Sequence, residues 1–149
     1  MSDRQNYIIK LRELSGAGVM DCKKALDEAG GNFDKAVEII KEKGLAKSAK
    51  RVGRDTGAGK VYSYVHSGRI GVLLDLRAET DFVVKSEPFE ELAKELLMQI
   101  AAMPAENPEE LLKQSYVRDE KKTVEELVKE VIGKTGENIR VNAFSRIEI

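Results

Sequence analysis

Two glycine-bearing breaks, Ser15-Gly16-Ala17-Gly18 and Gly30-Gly31, cut the first 44 residues into three helical runs, each too short to be stable alone. Tyr7, Ile8, Leu11 and Leu14 recur at helical spacing before the first break, and Val19, Cys22, Leu26 and Ala29 form a stripe after it. Asn32 is positioned as an N-cap for the third run, with Asp34 in its first turn and Phe33, Ala36, Val37 and Ile40 on one face. Gly44 is expected to end that helix. Three helices of this length bury little area individually, so they must share one small core.

The stretch 46–59 changes character. Lys47, Lys50, Arg51 and Arg54 are opposed only by Asp55, and Thr56-Gly57-Ala58-Gly59 closes the run, which reads as a helical extension giving way to a flexible boundary. Beyond it, residues 61–65 alternate and are rich in β-formers, His66-Ser67-Gly68-Arg69 supplies a turn, and residues 70–76 return as a second strand. Pro88 opens a long helix carrying Phe89, Leu92, Leu96 and Ile100, which stops near Met103-Pro104. Pro104 and Pro108 bracket a loop before a short helical segment at 109–113. Thr123-Val124-Glu125-Glu126 is a capping box for a helix with Val124, Leu127, Val128 and Val131 on its apolar face, ended by Gly136. In the closing run Ile139, Val141, Ala143, Ile147 and Ile149 share one face, with Arg140, Asn142, Phe144, Arg146 and Glu148 on the other. The order fits an α+β class: a three-stranded antiparallel sheet covered on one side by helices.

Composition excludes several function classes. A net charge of −1 gives no bulk attraction to nucleic acid, and the single cysteine, Cys22, permits no disulfide framework. No stretch approaches the roughly 20 apolar residues of a membrane span, and the start lacks an apolar leader, so the cytoplasm is the expected compartment. Gly53 to Gly59-Lys60 is not a phosphate loop: five residues intervene where four are needed, Val61 stands where the magnesium-binding hydroxyl belongs, and a strand follows. His66, the one histidine, reads as a solvated turn residue with no second ligand near it. Glu79 and Asp81 are two carboxylates among 26, too common a pattern to signal acid–base chemistry. The basic run 41–60 holds seven Lys/Arg against Glu42 and Asp55 but no aromatics interleaved for base stacking, so it reads as a solvated face. The chain is expected to act by binding, without a cofactor.

One segment stands out against this background. Glu79-Thr80-Asp81-Phe82-Val83 sets an acid beside a large ring, after an apolar strand and before a helix start, where the ring lacks an obvious place in the local core, although the residues alone favour a core ring that closes the hairpin onto the helix. This run resembles a signature of the elongation factor Ts family, as does Leu11-Arg12-Glu13-Leu14-Ser15-Gly16-Ala17-Gly18-Val19-Met20-Asp21-Cys22-Lys23-Lys24-Ala25-Leu26. Gly136-Glu137-Asn138-Ile139-Arg140-Val141, with Phe144 and Arg146, is similar to the family's closing strand. The resemblance implies a ubiquitin-associated-like helical module at 1–45, a basic, glycine-rich linker at 46–58 and an α+β core at 59–149. It implies nucleotide exchange on the GTPase elongation factor Tu. In that scheme Thr80, Asp81, Phe82 and Val83 form the partner-binding turn, with Phe82 wedged between helices of the GTPase and Asp81 disturbing its Mg²⁺ site. Arg12, Val19 and Met20 make the module's contacts, Val19 standing where the family usually has methionine. His66 is a secondary candidate. Only one core copy is present, so a homodimer that covers the sheet edges is implied, with no membrane or nucleic acid required.

Overall fold

The computed structural model describes residues 2–51 and 53–149, without the side chains of Lys47, Ser48 and Ala49, so those parts of the basic run lie outside the described residues. Helix α1 (Asp3–Ser15) begins with a reciprocal box: the Ser2 hydroxyl accepts from the Gln5 amide, and the Gln5 side chain accepts from the Ser2 amide. Helices α2 (Val19–Glu28) and α3 (Phe33–Ala49) follow, with Asn32 accepting from the Lys35 amide at 3.1 Å as the expected cap. Leu11, Cys22, Ala25, Leu26, Ala36 and Ile40 form the buried core of this unit, and the Tyr7 and Phe33 rings meet 5.3 Å apart.

Three local expectations are corrected. Leu14 and Val19 sit at helical spacing yet are 60% and 47% exposed, because the Gly16–Gly18 loop ends the helix-to-helix packing there. Gly44 does not stop α3, which runs on to Ala49. A glycine inside a helix costs about 1 kcal/mol relative to alanine; Gly44 lies against Gly133 of the last helix, where a Cβ on Gly133 would meet the Gly44 carbonyl at 3.6 Å.

The second unit has a three-stranded antiparallel sheet ordered β1-β2-β5: β1 (Ala58–His66), β2 (Ile70–Ala78) and β5 (Ile139–Glu148). Between β2 and β5 come α4 (Asp81–Val84), α5 (Glu87–Ala102), α6 (Pro108–Lys113), a small hairpin of β3 (Ser115–Tyr116) and β4 (Asp119–Thr123), and α7 (Val124–Thr135). Val72, Leu74, Leu76 and Ala78 line the inner face of β2 and join Phe89, Leu92, Leu96, Ile100, Leu111, Val128 and Ile132 in one core. Among the described residues no helix covers the other face of the sheet, and Val61, Val65, Leu73 and Ile147 are each more than half exposed.

The strict alternation expected along β5 fails at Asn142. Asp75 pairs with Ala143 but Leu76 with Val141, so Asn142 is an extra residue, a β-bulge. A one-residue slip reverses the faces: Ile139 and Val141 are buried before the bulge, whereas beyond it Phe144 and Arg146 turn inward and Ala143 and Ile147 outward. The β3–β4 hairpin was also unforeseen. It is fastened by buried Gln99, which donates to Gln114 Oε1 and the Ser115 carbonyl and accepts from the Val117 amide at 2.9 Å.

Helix α7 joins the two units. Lys41 of α3 pairs with Glu130 at 3.6 Å. Gly16, at the left-handed φ of +68°, lies close against α7, where a Cβ would sit a tight 3.3 Å from Cγ of Lys134. No helix among the described residues is long and apolar enough to cross a membrane.

Candidate functional site

The sheet delivers Glu79 and Thr80 at the end of β2, where Ala78 is fully buried. Thr80 then caps the single turn α4, its hydroxyl accepting from the Val83 amide at 3.4 Å. That turn splits its residues in two directions. Val83 and Val84 are 5% and 8% exposed and sink into the core, whereas Phe82 is 87% exposed beside exposed Asp81. Val83, grouped above with the partner-contacting residues, is therefore an internal anchor. Burying one side of a turn fixes where the other side points, so Phe82 is an apolar ring held out in water by a rigid base.

Two glutamates reach across to hold this turn. Glu137 takes the Thr80 amide on one carboxylate oxygen at 2.9 Å and the Thr80 hydroxyl on the other at 2.7 Å. Glu79 accepts from the Asn138 amide at 2.7 Å and pairs with Arg54 at 3.7 Å. Asn138, itself buried, donates its side-chain amide to the Arg54 carbonyl at 2.9 Å. The described residues of the supposed flexible boundary are thus tied down, with Thr56 also accepting from Arg140 at 3.2 Å. Sequence reasoning missed Glu137 and Asn138 as supports. Their motif was in view, but only as the start of a strand.

The module's candidates lie around the Ser15–Gly18 bend. Arg12, Val19 and Met20 are all exposed, and with Leu14 they leave an apolar patch beside a cation. This bend rests on Lys134, while Glu137, three residues further, grips Thr80. Gly136, at φ +78°, makes the left-handed turn that takes the chain from the one to the other. One short segment, 134–137, therefore supports both signature regions.

His66 is elsewhere. It pairs with Ile70 at the hairpin end while Ala58 pairs with Ala78 at the other, so eight residue steps put it about 26 Å from the Glu79 end. There it is exposed and meets the Tyr64 hydroxyl at 2.8 Å. Cys22 is enclosed in the module core, where burial pushes its thiol pKa up. Cations of the basic run have partners within the chain: Lys43 with Glu28, Arg51 with the Ile132 carbonyl, Arg54 with Glu79. A cleft of about 630 Å³ lies along the seam of the module and α7, lined by Leu11, Leu14, Val37, Ile40 and Leu45. The signature turn is not a pocket but a projection.

A family model described as Elongation factor TS matches residues 79–149. The chain is 42% identical to Elongation factor Ts of Thermotoga petrophila, over all of this chain and 97% of that protein. It is equally similar, at 42%, to Elongation factor Ts of Leptospira biflexa, over all of this chain and 98% of that protein. The first alignment extends over 193 positions against 149 residues here, so at least 44 of them (193 minus 149) have no counterpart in this chain.

Proposed function

Because this chain belongs to the elongation factor Ts family, we propose that it is the guanine nucleotide exchange factor of elongation factor Tu, releasing GDP by binding alone. Phe82 is the observation that carries the reading. Its ring is 87% exposed on a turn whose next two residues are buried. Burying such a ring is worth about 1.5–3 kcal/mol, and aromatic anchors of this kind dominate interface energy. In this reading Phe82 wedges between helices of the GTPase's nucleotide-binding domain, and Asp81 beside it disturbs the groups that hold Mg²⁺. The nucleotide's phosphates are strongly negative and Mg²⁺ compensates them, so loosening the ion loosens GDP. Arg12, Val19 and Met20 form a second contact with the same domain, and the shared support at 134–137 favours their acting together.

Linkage supplies the direction. A factor that binds the nucleotide-free GTPase more tightly must itself be bound less tightly when nucleotide returns. The cycle then closes without any reaction on the factor's part. The test is to mix catalytic amounts of the protein with elongation factor Tu loaded with fluorescent GDP, in excess unlabelled GDP. Release accelerated far above the spontaneous rate is expected, and release unchanged by the protein would refute the reading.

We also propose that the protein pairs with a second copy across the helix-free face of its sheet. Val61, Val65, Leu73 and Ile147 give that face an apolar surface that a second copy would cover. Sedimentation should report a dimer that Leu73→Glu converts to monomer; a monomeric wild type would refute this.

A further inference from the structure

The bidentate grip of Glu137 on Thr80 is more than the fold requires. Thr80 is exposed, its cap on α4 is already supplied by its own hydroxyl, and the buried anchors Val83 and Val84 lie one turn further on. Yet a carboxylate from the α7–β5 connection, 57 residues away in the chain, occupies both the amide and the hydroxyl of this one residue. Glu79 returns the favour by holding the Asn138 amide, so the two connections are cross-laced by paired charge-assisted hydrogen bonds. The residues released if the lacing failed are Asp81 and Phe82.

We propose that Glu137 is a positioning residue that keeps the Asp81–Phe82 turn in its docking-competent orientation before the partner arrives. This rests on the exchange reading above. Its physical content is a population. If the turn is competent for only a fraction of the time, the apparent affinity falls by that fraction, while the rate of GDP release from the assembled complex does not. Asp81 and Phe82 act on the partner; Glu137 acts only through Thr80.

The test titrates the full-length protein against elongation factor Tu carrying fluorescent GDP and separates the half-saturating concentration from the limiting release rate. Loss of a bidentate charge-assisted contact in Glu137→Ala should raise the half-saturating concentration about tenfold, with the limiting rate within about twofold of wild type. Glu137→Gln, which keeps an acceptor for the Thr80 amide, should lie between the two. Hydrogen exchange on the free protein gives a readout that needs no partner: the Thr80 amide should exchange at least about tenfold faster in Glu137→Ala, with the sheet amides unchanged. An unchanged half-saturating concentration, or an unchanged Thr80 amide, overturns the proposal. A limiting rate that falls together with protection across the whole sheet overturns it too, since Glu137 would then be holding the fold rather than the turn. Should the alanine variant not fold, the glutamine variant decides alone, a rise of about threefold supporting the proposal and no rise refuting it. A wild-type protein inert in GDP release is a different failure, visible in the wild-type trace before any variant is compared, and it removes the exchange reading itself.

Discussion

The bend at Ser15–Gly18 and the turn at Thr80–Val83 both expose apolar side chains, but they stand on unequal foundations. The bend is carried by a unit whose buried set is Leu11, Cys22, Ala25, Leu26, Ala36 and Ile40, two of the six being alanines. The turn is rooted through Val83 and Val84 in a core that includes Phe89, Leu92, Leu96 and Ile100, and is laced from outside by Glu79 and Glu137. The bend spreads its surface over Leu14, Val19 and Met20; the turn concentrates it in one ring. Such a contrast suits a division of labour in which a broad, shallow contact recruits the partner and a narrow, rigid one does work on it.

The largest expected effects come from undermining each foundation separately. Phe89→Ala should cost about 3–5 kcal/mol and weaken the sheet and turn together, whereas Leu26→Ala should cost about 2–5 kcal/mol within the module and leave the sheet intact. Hydrogen exchange of the α2 and β2 amides, measured in both variants, checks this. A Leu26→Ala protein whose β2 amides lost protection as much as those of α2 would mean that the two units do not respond separately. A smaller effect is expected from the bend's surface. Val19→Ala with Met20→Ala should raise the half-saturating concentration for GDP release about fivefold without altering the limiting rate, as expected of contacts that spread their energy thinly. A fall in the limiting rate would instead assign the bend a share of the work on the nucleotide.

The smallest effects are in pH dependence, and two of them arise in the sheet-bearing unit. The Arg77 side-chain hydrogen bond, assisted by one from Asn142, holds the Asp75 carboxyl below its ordinary value. A depressed carboxyl pKa contributes stability above its unfolded value and loses it as pH falls through the folded one, so Asp75→Asn should flatten the acid limb of the stability curve below about pH 4. Tyr116 is opposite in sign. Burial, then its hydrogen bond to Glu95, pushes its pKa up to about 12. Its contribution is complete below the ordinary tyrosine value near 10 and is lost as pH climbs from there towards about 12, so Tyr116→Phe should flatten the alkaline limb. Denaturant melts across pH decide both. In the module core, the thiol of Cys22, its pKa raised by burial, should add an alkaline slope of the same sign as that of Tyr116.

Much of this fold was legible because its signals are local. Glycine breaks, the Asn32 cap, Pro88 in the first turn of α5 and the Gly136 stop each act within a few residues. A three-stranded antiparallel sheet followed from a hairpin and a closing strand, but the pairing of β5 with β2 did not. What stayed hidden depends on partners distant in the chain. The bulge at Asn142 becomes visible only once β5 is laid against Asp75, whose carboxylate accepts from the Asn142 side chain at 2.8 Å. The β3–β4 hairpin has no alternation to betray it, since Asp119-Glu120-Lys121-Lys122 is wholly charged and its order comes from Gln99. From the residues alone Phe82 reads as a core ring that closes the hairpin onto the helix, and its exposure was expected only from the family resemblance. The clamp on Thr80 was not, because a glutamate before a strand has no periodicity to distinguish it.

The central claim is that Phe82 acts on a partner and not on its own fold, and a titration of Phe82→Ala against elongation factor Tu loaded with fluorescent GDP tests it most directly, with the melting temperature measured alongside. The expected result is a fall of about thirtyfold or more in the limiting rate of GDP release, equivalent to about 2 kcal/mol, with melting unchanged because the ring is 87% exposed. A variant that released GDP like wild type, or one that lost activity only by unfolding, would contradict it.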